Sequence, residues 1–158
     1  MSPAIAVVRV RGRTHIKRGI EDTLRYMGLT RKNYCVILPE NDTSTSMIFK
    51  AKDYITWGQA DEKMIESLIR ERGRIAGDNR LTDEYVKANS KHADMKSLAS
   101  SMAKGQTKAK DVKGLKPIFR LNPPKKGFER EGIKKPYTLG GALGDRKDKI
   151  KDLIMRMI

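Results

Sequence analysis

Residues 5–11 read Ile-Ala-Val-Val-Arg-Val-Arg and are the first of three short apolar runs that define the core of the fold. Apolar side chains alternate along this run, which is typical of a β-strand that buries one face. Residues 34–38, Tyr-Cys-Val-Ile-Leu, predict a second strand that Pro39 stops. Residues 54–57, Tyr-Ile-Thr-Trp, predict a third strand that ends at Gly58. Three short strands this close together predict a small antiparallel sheet.

The segments between these strands predict two helices. Thr14 is a candidate cap for the first helix, and Gly28 with Leu29 after it is a candidate left-handed stop. The apolar positions between them fall on one helical stripe: Ile16, Ile20, Leu24 and Met27. Residues 40–46 predict a polar loop, and residues 47–52 a single short amphipathic helix. The order β-α-β-α-β places both helices on one face of the sheet and leaves the opposite face partly open.

The rest of the chain divides at changes of composition. Helices are expected to begin at Asp61, at Thr82 and near Asp94, after which residues 117–122 predict a short strand. A loop rich in Gly and Lys follows, and Asp145 is expected to cap a terminal helix. The predicted fold class is α+β: a three-stranded antiparallel β-α-β-α-β core that is half of a ferredoxin-like fold, a helical insertion, and an irregular basic C-terminal extension ending in a helix. The predicted segments are the core at 1–58, the helical module at 59–112 and the extension at 113–158.

Positive charge is the dominant compositional feature of the chain. Its 158 residues include 34 Lys and Arg against 19 Asp and Glu, a formal charge of +15. The excess is +5 in residues 1–60, +2 in residues 61–112 and +8 in residues 113–158. Since each Lys or Arg set against a phosphate releases condensed counterions, a charge of this size predicts a polyanionic partner, most simply a nucleic acid.

Several classes of protein are disfavoured by the sequence. No run approaches the ~20 apolar residues of a membrane span, and the charges of the first residues follow a short apolar run, the reverse of a signal peptide. The single cysteine, Cys35, lies in an apolar run and cannot form an internal disulfide, which favours a buried thiol in a cytosolic chain. We therefore expect no membrane association.

Catalytic and metal-binding patterns are missing from the sequence. The two histidines, His15 and His92, have no Cys or carboxylate at ligand spacing, so no metal site is expected. A phosphate-loop pattern is also missing. The sequence predicts no enzyme, no cofactor and no small-molecule substrate.

Basic residues form the strongest functional pattern. Arg9, Arg11 and Arg13 recur at every second position, so an extended chain would project them from one side. Arginine favours forked hydrogen bonding to phosphate. The Pro-Pro segment, residues 119–128, interleaves Arg120, Lys125 and Lys126 with apolar residues around two prolines that hold the backbone extended. We interpret this segment as a strap that lies along RNA.

The order of six short motifs resembles the large-subunit ribosomal protein L-thirty family in its archaeal-type long form, whose eukaryotic relatives are called large-subunit L-seven. The motifs are Val8-Arg9-Val10-Arg11-Gly12, Asp22-Thr23-Leu24, Met27-Gly28-Leu29, Asn33-Tyr34-Cys35-Val36, Asp53-Tyr54-Ile55-Thr56-Trp57-Gly58 and Phe119-Arg120-Leu121-Asn122-Pro123-Pro124. The resemblance covers nearly the whole chain and is weakest from about 75 to 112. It implies a structural protein of the cytoplasmic large ribosomal subunit, without an active site. It also implies large-subunit ribosomal RNA as the partner, together with neighbouring ribosomal proteins and 5S ribosomal RNA as further candidates.

The resemblance and the basic pattern together give a set of candidate RNA-binding residues. These are Arg9, Arg11, Arg13, His15, Lys17, Arg18, Arg31, Lys32, Asn33, Ser46, Met47, Lys50, Arg120, Asn122, Pro123, Pro124, Lys125, Lys126, Lys134 and Lys135. One departure from the family is Ser46, where glycine is usual before the methionine of the short helix. A close approach of the RNA backbone is less favoured there, although the Ser46 hydroxyl could contact a phosphate.

Two other functions remain open at this stage. An acylphosphatase-like enzyme also begins with V-x-V-x-G-R after a first strand, but here no glycine follows Gly12-Arg13 until Gly19, which disfavours its phosphate cradle. A ribosome assembly or ribosomal-RNA-processing factor of the same fold would show the same sequence features. Its presence or absence in mature particles would distinguish it from a permanent component.

Overall fold

A five-stranded mixed sheet lies at the centre of the computed structural model, which describes residues 3–158. The strands are β1 (Ala4–Arg9), β2 (Tyr34–Pro39), β3 (Ile55–Gln59), β4 (Ile118–Arg120) and β5 (Gly144–Asp145), in the spatial order β4-β2-β1-β3-β5. The central strand β1 is antiparallel to both β2 and β3, as the sequence predicted. The extension then adds one strand at each edge, β4 antiparallel to β2 and β5 parallel to β3.

Six α-helices surround the sheet in the described part of the chain. They are α1 (Arg18–Tyr26), α2 (Asp42–Lys50), α3 (Glu62–Arg72), α4 (Asp83–Asn89), α5 (Met95–Ala103) and α6 (Ile150–Met157). No helix among residues 3–158 is long and apolar enough to cross a membrane.

Both faces of the sheet are covered, so the expectation of a partly open face is wrong. On one face, Val7 packs with Leu24 of α1 and Ile48 of α2 in a single apolar cluster. On the other face, Val8 belongs to a larger cluster that includes Leu68 of α3 and also residues of α5 and α6. Ala6, Val8 and Cys35 are small, and they leave room for this second layer of helices to pack closely against the sheet. The fold therefore has three layers, with the sheet between two layers of helices and an apolar cluster on each of its faces.

Element ends follow the sequence prediction in some places and depart from it in others. Gly28 has φ of +86° and closes α1: Leu29 N–H donates to Leu24 O at 2.8 Å, and Gly28 N–H donates to Arg25 O at 2.9 Å. These are the two bonds of a Schellman cap, so the predicted stop is confirmed. Thr82 caps α4 as predicted, because its hydroxyl accepts from Tyr85 N–H at 3.3 Å.

Other predicted boundaries are wrong. Thr14 does not cap α1, which begins at Arg18 after a turn in which His15 has φ of +54°. The second helix is longer than predicted, since Asn41 Oδ1 accepts from Ser44 N–H at 2.7 Å and starts α2 at Asp42. Residues 42–46 are therefore helical, because a strong asparagine cap outweighs the low helix propensity of Asp, Thr and Ser.

Gly58 lies inside β3 and does not end it. A Cβ at this position would collide with the carbonyl oxygen of Lys147 and with the side chain of Ile150. The missing side chain thus lets the turn before α6 pack directly against the strand.

The extension is folded around a buried ion pair that the sequence did not predict. The Arg146 side chain is 2% exposed, and its two terminal nitrogens lie 2.5 and 2.6 Å from the two carboxylate oxygens of Glu129. Arg146 also donates to Thr56 Oγ1 at 2.9 Å and stacks on the ring of Tyr137 at 4.6 Å. Its charge and its hydrogen bonds join residues 128–146 to β3.

The three predicted segments contribute to one core. The larger apolar cluster contains Val8 from the first segment, Leu98 from the second, and Phe119 and Leu153 from the third. The division of the sequence into segments at residues 58 and 112 stays a prediction. In the structure, side chains of all three segments pack in the same apolar cluster.

Candidate nucleic-acid interface

One end of the sheet gathers most of the predicted RNA-binding residues. The register places the end of β1 beside the starts of β2 and β3, and it places the end of β4 beside the start of β2. The loops and flanking residues at this end are 10–18, 30–33, 50–54 and 120–126. We call these four segments together the basic end.

The charge of the basic end is strongly one-sided. Its four segments hold eleven Lys and Arg residues and a single acidic residue, Asp53. The two loops that lead from strands to helices at the opposite end, 38–43 and 59–63, hold one basic and four acidic residues. Since a surface with one sign of charge attracts and orients a polyanion, the basic end is the candidate face for nucleic acid.

Arg9, the last residue of β1, adjoins the basic end but is buried beneath it. The residue is 1% exposed, and its guanidinium donates to the carbonyl oxygens of Leu29 at 2.7 Å, Arg11 at 2.9 Å and Gly12 at 3.1 Å. Burial lowers the pKa of Arg9, and the nearby charge of Arg13 lowers it further, whereas Glu21 raises it. Arg9 therefore fixes the backbone of two loops.

The prediction of one exposed row of arginines is wrong. β1 ends at Arg9, so the chain after it no longer alternates. Arg11 turns onto the ring of Tyr54 at 4.8 Å and donates to Asp53 O at 3.1 Å. Arg13 instead lies 2.7 Å from Glu21 Oε1, with 62% of its side chain exposed. The three guanidinium groups thus lie in three different environments.

The remaining candidates on the first two loops and α1 are exposed. His15, Lys17, Arg18, Arg31 and Lys32 all lie at the surface of the basic end. Asn33 is half-buried and has φ of +66°, a conformation that asparagine tolerates well. Its N–H donates to Arg9 O at 2.8 Å and its carbonyl accepts from Leu121 N–H at 3.0 Å. Asn33 is thereby a backbone junction between β1 and the Pro-Pro segment.

The Pro-Pro segment lies along the end of α6. Asn122 N–H donates to Met157 O, and Lys125 N–H donates to Arg156 O, both at 2.9 Å. Pro124 is buried, whereas Asn122, Pro123, Lys125 and Lys126 are exposed. Both lysine side chains are thus presented from a backbone that α6 holds in place.

Candidates outside these loops are more scattered. Ser46 is exposed and Met47 half-buried within α2, while Lys50 is exposed at the end of α2, beside Gly19. Arg120 lies 3.5 Å from Asp78. Lys134 and Lys135 are exposed on the extension, and Lys135 pairs with Glu131 at 2.7 Å.

Sequence reasoning missed three residues that this end of the molecule uses. Arg25 and Thr30 lie with Arg9 and Arg13 around a small cleft, and Arg146 organises the extension. Helical spacing could have found Arg25, since it follows Glu21 by four residues on α1. No spacing rule links Glu129 to Arg146 across an irregular loop.

No group of His, Cys, Asp and Glu side chains among residues 3–158 could hold a metal ion. Cys35 is buried in the core, and burial raises the pKa of its thiol, which leaves it protonated. The groups that the basic end presents to a ligand are lysine and arginine side chains and backbone groups in tight turns. That chemistry defines a class of small basic α+β proteins suited to binding a polyanion.

The comparisons with known proteins identify the family. The profile of the family described as Ribosomal protein L30p/L7e matches residues 5–55. Large ribosomal subunit protein uL30 of Methanosphaera stadtmanae is 47% identical over 97% of this chain and 99% of its own length. The proteins of the same name from Nanoarchaeum equitans and Methanopyrus kandleri are 47% and 42% identical, over 97% and 94% of this chain and 97% and 100% of their own lengths. The chain belongs to the Ribosomal protein L30p/L7e family.

Proposed function

We propose that this chain is a structural constituent of the large ribosomal subunit in the cytoplasm of an archaeal cell, where it binds and stabilises folded ribosomal RNA. The observation that carries the proposal is the near-full-length similarity to archaeal proteins named for the large ribosomal subunit. Family membership favours neither an acylphosphatase nor any other enzyme. The role needs no catalytic group: shape, phosphate contacts and 2′-hydroxyl contacts suffice to recognise folded RNA.

The basic end is the surface that we propose for RNA. Eleven cationic side chains around a single carboxylate supply the counterion-releasing contacts that dominate such binding. Tight turns at His15, Asn33 and Lys126, all with positive φ, fix the backbone from which these side chains project. Because the loops are held before binding, less conformational entropy is lost when RNA is bound.

Neighbouring ribosomal proteins are a second class of partner in this proposal. 5S ribosomal RNA is a finer proposal, and ultraviolet crosslinking of assembled subunits followed by sequencing of the bound RNA tests it. Reads that map to 5S RNA in addition to the long RNA would support the contact, and reads from the long RNA alone would contradict it.

The experiment that tests the function is sedimentation of a cell lysate through sucrose gradients at low and high salt, with quantification of this chain in each fraction. We expect about one copy per mature large subunit, retained at high salt. Occurrence only in immature particles would instead support an assembly or processing factor. Recovery only at the top of the gradient would contradict both ribosomal roles.

A further inference from the structure

A small cleft at the basic end has the composition of an anion site. It lies between the end of β1 and α1, has a volume of about 160 Å³, and is lined by Arg9, Arg13, Glu21, Arg25 and Thr30. Three cations and one carboxylate give these lining residues a formal charge of +2. Four of the five contain donor groups, and none is apolar.

Arg9 is the buried residue of this lining, and three hydrogen bonds hold its guanidinium in place. Three of the five N–H groups of its guanidinium donate to backbone carbonyl oxygens, and no carboxylate within the described residues forms a salt bridge with it. A buried cation is costly when no opposite charge accompanies it. The carbonyl dipoles satisfy its hydrogen bonds, and the charge of Glu21 favours its ionised form without a salt bridge between the two.

The rim of the cleft can open to a ligand. Among residues 3–158, Arg13 and Glu21 form the one ion pair at the cleft, at 2.7 Å, and their side chains are 62% and 26% exposed. A pair this exposed is weak, because water screens it. Arg25 is exposed on α1 one turn after Glu21, and Thr30 follows the Schellman cap of that helix.

We propose that the cleft holds one phosphodiester phosphate of the ribosomal RNA, bound by Arg13 and Arg25 above the buried charge of Arg9. This inference rests on the proposed function for the source of the phosphate. Glu21 holds Arg13 in the free protein and is displaced by the phosphate. Arg9 acts as a positioning residue, since it fixes the loops that carry Arg13 and Thr30.

The role of Glu21 distinguishes a phosphate site in the cleft from a general attraction between RNA and positive charge. Glu21→Gln removes the group that competes with phosphate for Arg13, so the variant should bind more tightly than the wild type. The matched control is Asp22→Asn, which removes the same charge from the adjacent residue of α1, outside the cleft. We expect Glu21→Gln to bind large-subunit ribosomal RNA about threefold more tightly than Asp22→Asn does.

Arg25→Ala tests the other side of the cleft. A charge-assisted hydrogen bond is lost, so RNA binding should weaken about tenfold and the salt slope should fall by about one. Arg70→Ala is the control, since Arg70 lies on α3 and pairs with Glu66 away from the cleft. Melting temperatures of all variants would show that each is folded.

The first experiment titrates the full-length free protein with inorganic phosphate while NMR follows the arginine Nε–H signals. We expect saturable shifts at Arg13, at lower phosphate concentration in Glu21→Gln and at higher concentration in Arg25→Ala. Equally weak, unsaturated shifts of the Arg13 and Arg70 signals would contradict a phosphate site in the cleft.

The second experiment measures binding of the same variants to RNA extracted from large subunits of Methanosphaera stadtmanae. Suppose that the wild type binds this RNA, that Glu21→Gln and Asp22→Asn bind it with equal affinity, and that Arg25→Ala and Arg70→Ala do so too. This result would contradict a phosphate site in the cleft and leave the proposed function standing. Failure of the wild type to bind this RNA would count against the proposed function itself. The phosphate titration would then still decide whether the cleft binds anions.

Discussion

The Arg9 guanidinium holds the loop after β1 and the loop after α1 together. Its position in a basic pattern predicted contact with phosphate, yet its guanidinium is enclosed by the carbonyl oxygens of Leu29, Arg11 and Gly12. The pattern could not reveal this, because the acceptors belong to backbone turns whose geometry depends on the packing of α1. Arg13 and the exposed residues around it keep the role that the sequence predicted.

Replacement of Arg9 therefore tests stability. Arg9→Ala should lower the free energy of unfolding of the free protein by about 2–4 kcal/mol, since three buried carbonyl oxygens lose their donors. Urea unfolding of the purified protein measures this change.

Arg11→Ala is the control for Arg9→Ala, because Arg11 is only half-buried and loses a single cation–π contact and one hydrogen bond. Its cost should stay near 1 kcal/mol. Equal unfolding midpoints for wild type and Arg9→Ala would contradict the structural role of Arg9.

The order and type of the helices and strands were predicted from the sequence better than their boundaries and the elements against which they pack. The β-α-β-α-β order, the left-handed stop at Gly28 and the start of α4 at Thr82 are confirmed, because each depends on residues close together in the chain. The covered second face of the sheet was missed. Its small residues Ala6 and Val8 gave no sign of the helices that pack on them from more than fifty positions away.

The ion pair of Glu129 and Arg146 should make the fold sensitive to acid. Burial opposes ionisation of Glu129, but the hydrogen bonds and charge of Arg146 and the charge of Arg156 outweigh it, so the pKa of Glu129 is lowered. A lowered folded pKa means that the pair contributes stability above the unfolded pKa of the carboxyl group. This contribution is lost as pH falls through the folded value.

Glu129→Gln should therefore cost about 3 kcal/mol of unfolding free energy at pH 7, since Arg146 stays buried without its partner. Below the folded pKa of Glu129 the difference from wild type should shrink, because the wild-type carboxyl is then also neutral. Urea unfolding at pH 7 and in acid measures both values. A difference that stays constant or grows in acid would contradict the role of this pair.

Gly58 offers a test of how the extension joins the sheet. Gly58→Ala should destabilise the protein by about 1–3 kcal/mol, because the new methyl group has to push the backbone at Lys147 and the side chain of Ile150 away from β3. Gly12→Ala is the matched control, since nothing lies within 4 Å of a Cβ at that position. Thermal unfolding of both variants measures the effect, and equal melting temperatures would show that β3 and α6 can separate without cost.

At the scale of the whole molecule, the distribution of charge matters more than its total. The chain carries +15, but the excess at the basic end faces one direction from the sheet. Deletion of the extension cannot test this distribution, because Phe119, Ile150 and Leu153 belong to the core. Substitutions that spare the core are needed.

Two quadruple variants with the same change in net charge provide that test. In the first, Arg31, Lys32, Lys125 and Lys126 at the basic end are replaced by Gln. In the second, Lys87, Lys91, Lys96 and Lys104 of the helical module are replaced by Gln; all eight side chains are exposed. The salt dependence of RNA binding should fall by roughly one slope unit per lost phosphate contact in the first variant, and much less in the second. Equal slopes would mean that only total charge matters.

Lysine reactivity in the free protein and in purified large subunits, compared by acetylation and mass spectrometry, tests directly whether the basic end is the surface that binds RNA. Lys17, Lys32, Lys52 and Lys126 of the basic end and Lys63 and Lys87 of the helices are all exposed in the free chain. We expect the four lysines of the basic end to lose most of their reactivity in the particle, while Lys63 and Lys87 keep more of theirs. Basic-end lysines that react in the particle as they do in the free protein would contradict it.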